Sequence, residues 1–538
     1  MKKTSILVLL IILCVSGSAF ATGRHVAIPA AHFTPGVGGA AAGPATTDND
    51  DSCTIGTLPA ATLLLPYFEV ETATRGVDTF FTVTNTTDLP EIAHVTVWTD
   101  WSLPVLDFNI FLTGYDVQAI SMYDVIVNGI IAPTNPALTA GGTSSNTTPG
   151  AISSANNANP NIVLANCTAL PGFIPPATRA AVQSALTTGI YNASGFAAGC
   201  GSTQVGTSAA SHRTATTAVG YVTIDVTSRC STTLPNDPSY FANEILFDNV
   251  LTGDYETLDR TAGSNYAGGN PLVHIAAVPE GGPAGTPLTG QQTNLPFTFY
   301  ARFINGQTVG ANTFTGTLLN LDRRQPLPAT FAARYIQGGA TSFNTDFKIW
   351  REGRTGPVTC TTPPSSNGFL AITEIVRFDE HENPMTFSGG IIISPSVPAT
   401  ITLPETSRTS TASGTYPPLN SPAGDAAGWM YLNLNSGTTF PVAAANNVNL
   451  ALHPTFPTPR PSQNWVVISM TGAGSTAGLF GVEFDATSLG VGCSPAVPTT
   501  NTNTTGLIGP VGTTPVCPQF DPACSPGVAP YIGTNATP

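Results

Sequence analysis

Charge is what this chain has least of. Asp, Glu, Lys and Arg make up 9% of its 538 residues, against about 25% in ordinary soluble proteins. Lysine all but vanishes: beyond Lys2 and Lys3 it occurs once, at Lys348. A chain this poor in cations, with acids outnumbering bases, has no basic surface to neutralise phosphates. Nucleic acid and polybasic docking onto anionic lipid are therefore excluded as partners. No apolar run after the N-terminal segment is long enough for a transmembrane helix.

Other absences narrow the chemistry. There is no Cys-x-x-Cys and the histidines are scattered, which argues against zinc. No G-x-S-x-G elbow occurs, and His381-Glu382 lacks the second histidine of a zinc-protease helix. Gly472-Ala473-Gly474-Ser475-Thr476-Ala477 matches a dinucleotide fingerprint, which works only where a helix starts at the glycines. Here Gly478 to Phe484 reads as a returning strand, so the match is expected to be a hairpin loop.

What is present points to export. Lys2-Lys3, the apolar run Ile6 to Val15 and the small-x-small site Ala19-Phe20-Ala21 form a signal peptide, expected to be cut after Ala21. The short Lys-Lys start has a bacterial look. Cleavage leaves 16 basic residues against 32 acidic, a net charge near −16. Eight cysteines remain, and an even count in an oxidising compartment predicts four disulfides. Spacing cannot fix the pairing; the guessed pairs are Cys167–Cys200, Cys517–Cys524, Cys230–Cys360 and Cys53–Cys493.

Thr, Ser, Asn, Gly, Ala, Pro and β-branched residues fill the chain, the vocabulary of strands and turns. Residues 22–56 read as a flexible leader. Strands are expected over Thr62–Val70, Asp78–Asn85, Ala93–Thr99, Leu106–Leu112 and Val117–Val127. Asp78–Asn85 and Ala93–Thr99, flanking Thr86-Thr87-Asp88-Leu89-Pro90, read as a hairpin with one buried face. Residues 133–216 read as an insertion carrying one short helix, Ala177 to Leu186. Strands resume at 218–226, 271–277, 297–304, 314–321, 343–351, 370–378, 390–394, 400–403, 428–434, 464–470 and 479–484. The expectation is an all-β protein of two antiparallel sandwich domains, Ig-like or jelly-roll-like, over 57–278 and 286–494. A low-complexity tail covers 495–538. An outer-membrane barrel fits less well, given the long proline-rich interruptions and few girdle aromatics.

Two constellations qualify as candidate sites. Trp98, Asp100 and Trp101 have the residue types of a carbohydrate-stacking platform, although three-residue spacing sends the two indoles to opposite faces of a regular strand. Asp379, Glu380, Glu382 and Asn383 offer hard oxygen ligands for a structural calcium; the alternative is a solvated turn. No catalytic residue is assigned and no other cofactor is expected. Arg302, Arg323, Arg324, Arg334, Arg351, Arg354 and Arg377 crowd one stretch. They are read as pairing internally with Asp322, Asp346, Glu352, Glu374 and Asp379 rather than forming an anion-binding face. Leu403-Pro404-Glu405-Thr406-Ser407 resembles a sorting signal but ends in Ser and lacks the closing tail, so it is read as coincidence.

The function expected is a secreted, non-catalytic surface, matrix or adhesive component. Its partner would be an extracellular glycan or protein, or another copy of itself. The alternatives are a glycan-active enzyme or carbohydrate-binding module, and a self-assembling filament or coat subunit.

Overall fold

The structure is a computed structural model. It describes residues 55–131, 162, 174–190, 213–230, 232–235, 237, 240, 244–260, 266–277, 298–300, 308–309, 312–313, 324–339, 342–352, 374–381, 404–411, 427–434, 462–473 and 479–488. In chain order the first ten strands are β1 Thr62–Glu71, β2 Val77–Asn85, β3 Glu91–Thr99, β4 Pro104–Leu112, β5 Val117–Ser121, β6 Thr217–Thr227, β7 Leu251–Thr252, β8 Asp254–Asp259, β9 Tyr266–Pro271 and β10 Val273–Ile275. The remainder are β11 Thr308–Val309, β12 Asn312–Thr313, β13 Thr330–Ile336, β14 Asn344–Arg351, β15 Glu374–Asp379, β16 Thr406–Ser410, β17 Ala427–Asn433, β18 Asn464–Ala473, β19 Leu479–Asp485 and β20 Thr487–Ser488. One α-helix, α1 Pro176–Thr187, and one π-helical turn, Asp124–Asn128, accompany them. No helix among the described residues is long and apolar enough to cross a membrane.

All strand pairings are antiparallel, giving the expected all-β fold with sandwich-like sheets. The first sheet has the order β10-β1-β6-β3-β4, and the second is built from β5-β2-β8-β9 with β7 beside β2. A third has the order β15-β17-β13-β20, a fourth β16-β14-β18-β19, and β11-β12 form a small pair. Two cores result. Ala93, Val95 and Val97 of β3, with Val222, Ile224 and Val226 opposite them on β6, face Phe81 and Val83 of the second sheet in the first core. The other face of the same sheet supplies Leu64, Trp98, Tyr221, Val273 and Ile275 to the second core. There they meet Phe331, Tyr335, Phe347, Ile349 and Trp350 of the third and fourth sheets. The first sheet is thus a middle layer, and every residue of β3 is buried.

Two local features make that layer possible. Pro66 cannot donate to a ladder, and the β1–β6 register shifts between Leu65 and Phe68, so the strand passes the proline through a bulge. Opposite the bulge lies Gly220, where a Cβ would sit 2.1 Å from the Trp98 carbonyl oxygen and 2.8 Å from the Phe68 ring. Only glycine leaves room there for the phenylalanine.

The structure corrects several sequence expectations. β2 and β3 do not form a hairpin: β2 pairs with β5, β7 and β8, whereas β3 pairs with β4 and β6. The residues between them carry the chain from one sheet to the other. Asn85 fixes that crossing, its Nδ2 donating to the Leu89 and Thr113 carbonyls at 2.6 and 3.0 Å while its Oδ1 accepts from Thr87. Ala93–Thr99, read as having one buried face, has both buried, its His94–Thr96–Trp98 side lying under the second core. The strand over 117–127 stops at Ser121 and becomes the π-helical turn. Phe299 and Tyr300 lie in a turn rather than a strand.

Helix α1 forms where expected, with Pro at its first position, and buries Ala181, Val182, Ala185 and Leu186 in the first core. β18 and β19 pair antiparallel as far as Ala473 and Leu479, so Gly472 and Ala473 end a strand, while Gly474 to Ala477 lie outside the described residues. The boundary expected at 279–285 and the strands expected at 314–321, 390–394 and 400–403 lie outside the described residues.

Candidate functional site

The layers meet through buried polar groups, and three constellations among them have the makings of a site. The first centres on Asp225. A carboxylate inside the run Val222-Thr223-Ile224-Asp225-Val226 must face a sheet surface, and here that surface is covered by the second core. Asp225 Oδ2 accepts hydrogen bonds from the hydroxyls of Tyr240 and Tyr300, each at 2.7 Å. Its Oδ1 accepts from Thr62 Oγ1, which itself accepts from Arg324 Nε. The guanidinium stands 3.6 Å from Asp225 and donates to the Leu246 carbonyl at 2.7 Å. Burial, followed by the nearby carboxylate, pushes both phenols well above their usual range, so they remain protonated donors.

Beside it on the same face, His94 pairs with Asn109 across β3 and β4, Nδ1 to Oδ1 at 3.0 Å, and its ring packs 5.3 Å from Tyr240. His94 Nε2, Thr96 Oγ1 and Asp107 Oδ2 have no hydrogen-bond partner among the described residues. Burial raises the Asp107 carboxyl, with His94 opposing the rise.

The second constellation joins two motifs that the sequence kept apart. Ser102 holds a left-handed φ of 60° just after Trp101 and places its hydroxyl between Tyr221, 2.6 Å away, and the Glu405 carboxylate, to which it donates. The amide of Thr406 donates to the Asp100 carbonyl at 3.1 Å, and its hydroxyl to the Pro66 carbonyl. The segment that resembles a sorting signal is thus an internal joint.

Trp98, Asp100 and Trp101 are all buried in that neighbourhood. Trp98 stacks on Tyr221 and donates from Nε1 to Thr223 at 2.9 Å. Asp100 pairs with Arg213 at 3.1 Å, and Trp101 lies in the first core. Neither indole presents a face to solvent.

The third constellation runs along the fourth sheet where it meets β1, β8 and β9. Lys348, 3% exposed, contacts Glu483 and lies 3.2 Å from Thr257 Oγ1, with the Tyr67 and Tyr255 rings 5.8 and 6.0 Å away. On one side Arg408 bridges Asp346 and Glu69 at 2.5 and 3.3 Å. On the other, Asp485 accepts from Trp465 Nε1 at 2.8 Å and Asn270 Nδ2 at 2.7 Å. Burial, with repulsion from Glu483, pushes the Asp485 carboxyl up to about 6.

Arg324 and Asp346 take other partners than those expected for them. Arg324 pairs with Asp225, and Asp346 with Arg408. Arg377 lies 4.3 Å over the Tyr335 ring, and burial alone lowers Arg351 to about 10. Arg334 is exposed, while Arg302, Arg323 and Arg354 lie outside the described residues.

Asp379 closes a turn by accepting from the His381 amide at 2.8 Å, and Glu380 is exposed; Glu382 and Asn383 lie outside the described residues. No group of three or more His, Cys, Asp or Glu arranged to hold a metal occurs among the described residues. Each guessed disulfide has at least one cysteine outside them; Cys230, the one described, is buried. No catalytic assignment follows from these three clusters, which lie inside the fold and tie sheet to sheet. Asp225, Tyr240, Tyr300 and Glu483 escaped the sequence reading; a lone aspartate in a β-branched run and a lone lysine were the available signals. No protein-family model, curated protein or solved structure matches the chain.

Proposed function

We propose that this chain is an exported, non-catalytic component of a cell surface or extracellular matrix, braced by disulfides and by buried polar joints. The observation that supports this reading most is the closure of the joints: Asp225 with Arg324, Lys348 with Glu483, and Ser102 with Glu405 are all buried. Groups committed to each other in this way hold layers in register and are closed to substrate. A partner glycan or protein would be met by loops and strand edges, through many weak polar contacts from Thr, Ser and Asn.

Fractionation of the producing cell, with protease shaving of intact cells, tests the location. The protein is expected in the surface or medium fraction, oxidised, and its deletion is expected to weaken attachment or matrix cohesion. Retention in the cytosol with reduced thiols, or turnover of a glycan by the purified mature chain, would overturn the proposal.

A further inference from the structure

We propose that Lys348 and Glu483 are joined covalently, as a side-chain amide from Nζ to Cδ that staples β14 to β19 across β18. This does not depend on the surface role proposed above. Lys348 is the sole lysine beyond residue 3, and instead of solvating a surface it is enclosed at 3% exposure. Its nitrogen touches Oε1 of Glu483, whose side chain is fully enclosed, and the one further polar contact described is Thr257. The aromatic faces of Tyr67 and Tyr255 wall the site. Glu483 Oε2 has no hydrogen-bond partner among the described residues, which is a poor setting for a full negative charge.

Sheet register holds the two groups together. Lys348 lies opposite Val467, Val467 opposite Asp485, and Ser469 opposite Glu483. Glu483 is therefore one pair off the row of Lys348, on the same face and within reach of a lysine stem. Reactants fixed in contact by packed strands have already lost the freedom that slows condensation between separate molecules.

An amide also suits this enclosure better than an ion pair does. A buried ion pair gives up the hydration of both charges, whereas an amide carries none to hydrate. Asp485, two residues along β19, is a second enclosed carboxyl; burial, with Glu483 adding to the rise, lifts it to about 6, so it can hold a proton close to the pair. Condensation takes the pair as acid and free amine: the nitrogen lone pair adds to Cδ and the Cδ–N bond forms. One Cδ–O bond breaks, and the acid's hydroxyl departs with one amine hydrogen as water. Nothing is oxidised or reduced, and the water is lost to bulk.

Mass spectrometry of the folded mature chain, after denaturation and reduction, decides the matter. The expected result is a mass one water below that of the sequence. A chymotryptic digest should contain one peptide pair linked through Lys348 and Glu483. Lys348→Arg keeps a cation but cannot close the amide, and should restore the full mass; because that chain can fail to fold, the wild-type spectrum carries the decision. A full-mass wild type whose Lys348 is acylated after denaturation overturns the proposal. So does a water loss that maps to any other residue.

Discussion

Tyr300 donates its phenolic hydrogen to Asp225 across 2.7 Å, with both residues fully buried between the middle sheet and the second core. Tyr240 reaches the same oxygen from another segment, so one carboxylate collects two distant parts of the chain. Removing Asp225 leaves two phenols and the Thr62 hydroxyl without their acceptor and the Arg324 guanidinium without its counter-charge. Asp225→Ala is expected to destabilise the fold by about 3–5 kcal/mol. Tyr300→Phe removes one bond to a charged acceptor and is expected to cost about 1.5–3 kcal/mol. Urea unfolding checks both, as a lowered midpoint at unchanged slope.

Glu405 is held by Ser102, which sits beside Tyr221 on the middle sheet. Glu405→Ala should therefore loosen the start of β16 while leaving the middle sheet intact. The expected loss is about 1–3 kcal/mol, with faster amide exchange over Thr406–Ser410 and unchanged protection in β3.

Asp485 carries a pH signature. Its folded value, raised to about 6 from 3.8, means that the native state holds a proton the unfolded chain has released between those limits. Stability from this group is therefore greatest at low pH and falls as pH rises from about 4 to about 6, by at most ~3 kcal/mol. Asp78 and Asp107, also raised by burial, push in the same direction, and Glu71, lowered by hydrogen bonds, in the opposite one. Comparing wild type with Asp485→Asn isolates the carboxyl's contribution: the variant should lose this part of the pH dependence in denaturation curves taken from pH 4 to 7.

Gly220 offers a packing test. A methyl group there meets the Trp98 carbonyl and the Phe68 ring, neither of which has room to retreat. Gly220→Ala is expected to cost at least ~1–3 kcal/mol, read as a lowered melting temperature. Gly338→Ala, with open space around its Cβ, tests only the left-handed φ of 72° and should cost less.

The sheet architecture was legible where alternation is strong. The alternation over Ala93–Thr99 announced a strand with a buried face, and the good helix formers over Ala177–Leu186 announced α1. Pairing was not legible, because Thr86 to Pro90 has the composition of a hairpin turn although Asn85 uses its side chain to send the chain across to another sheet. Expecting a single buried face for Ala93–Thr99 concealed the second covered face, which carries His94, Thr96 and Trp98. Strand β8 was missed because Asp254 and Glu256 are exposed, leaving only Tyr255 and Thr257 to mark its inner side. β13 was missed because its alanines carry little strand signal. The candidate joints depend on contacts hundreds of residues apart, such as Ser102 with Glu405, which local spacing does not encode.

A middle sheet buried on both faces is the premise of all these predictions, and amide hydrogen exchange across a urea series tests it most directly. If both cores close on that sheet, the amides of β3 and β6 exchange only through the global unfolding of the chain, and they gain protection together with those of β14 and β18. Fast exchange of β3 and β6 while β14 and β18 remain protected would contradict it, because the His94–Asp225 face would then be open to water.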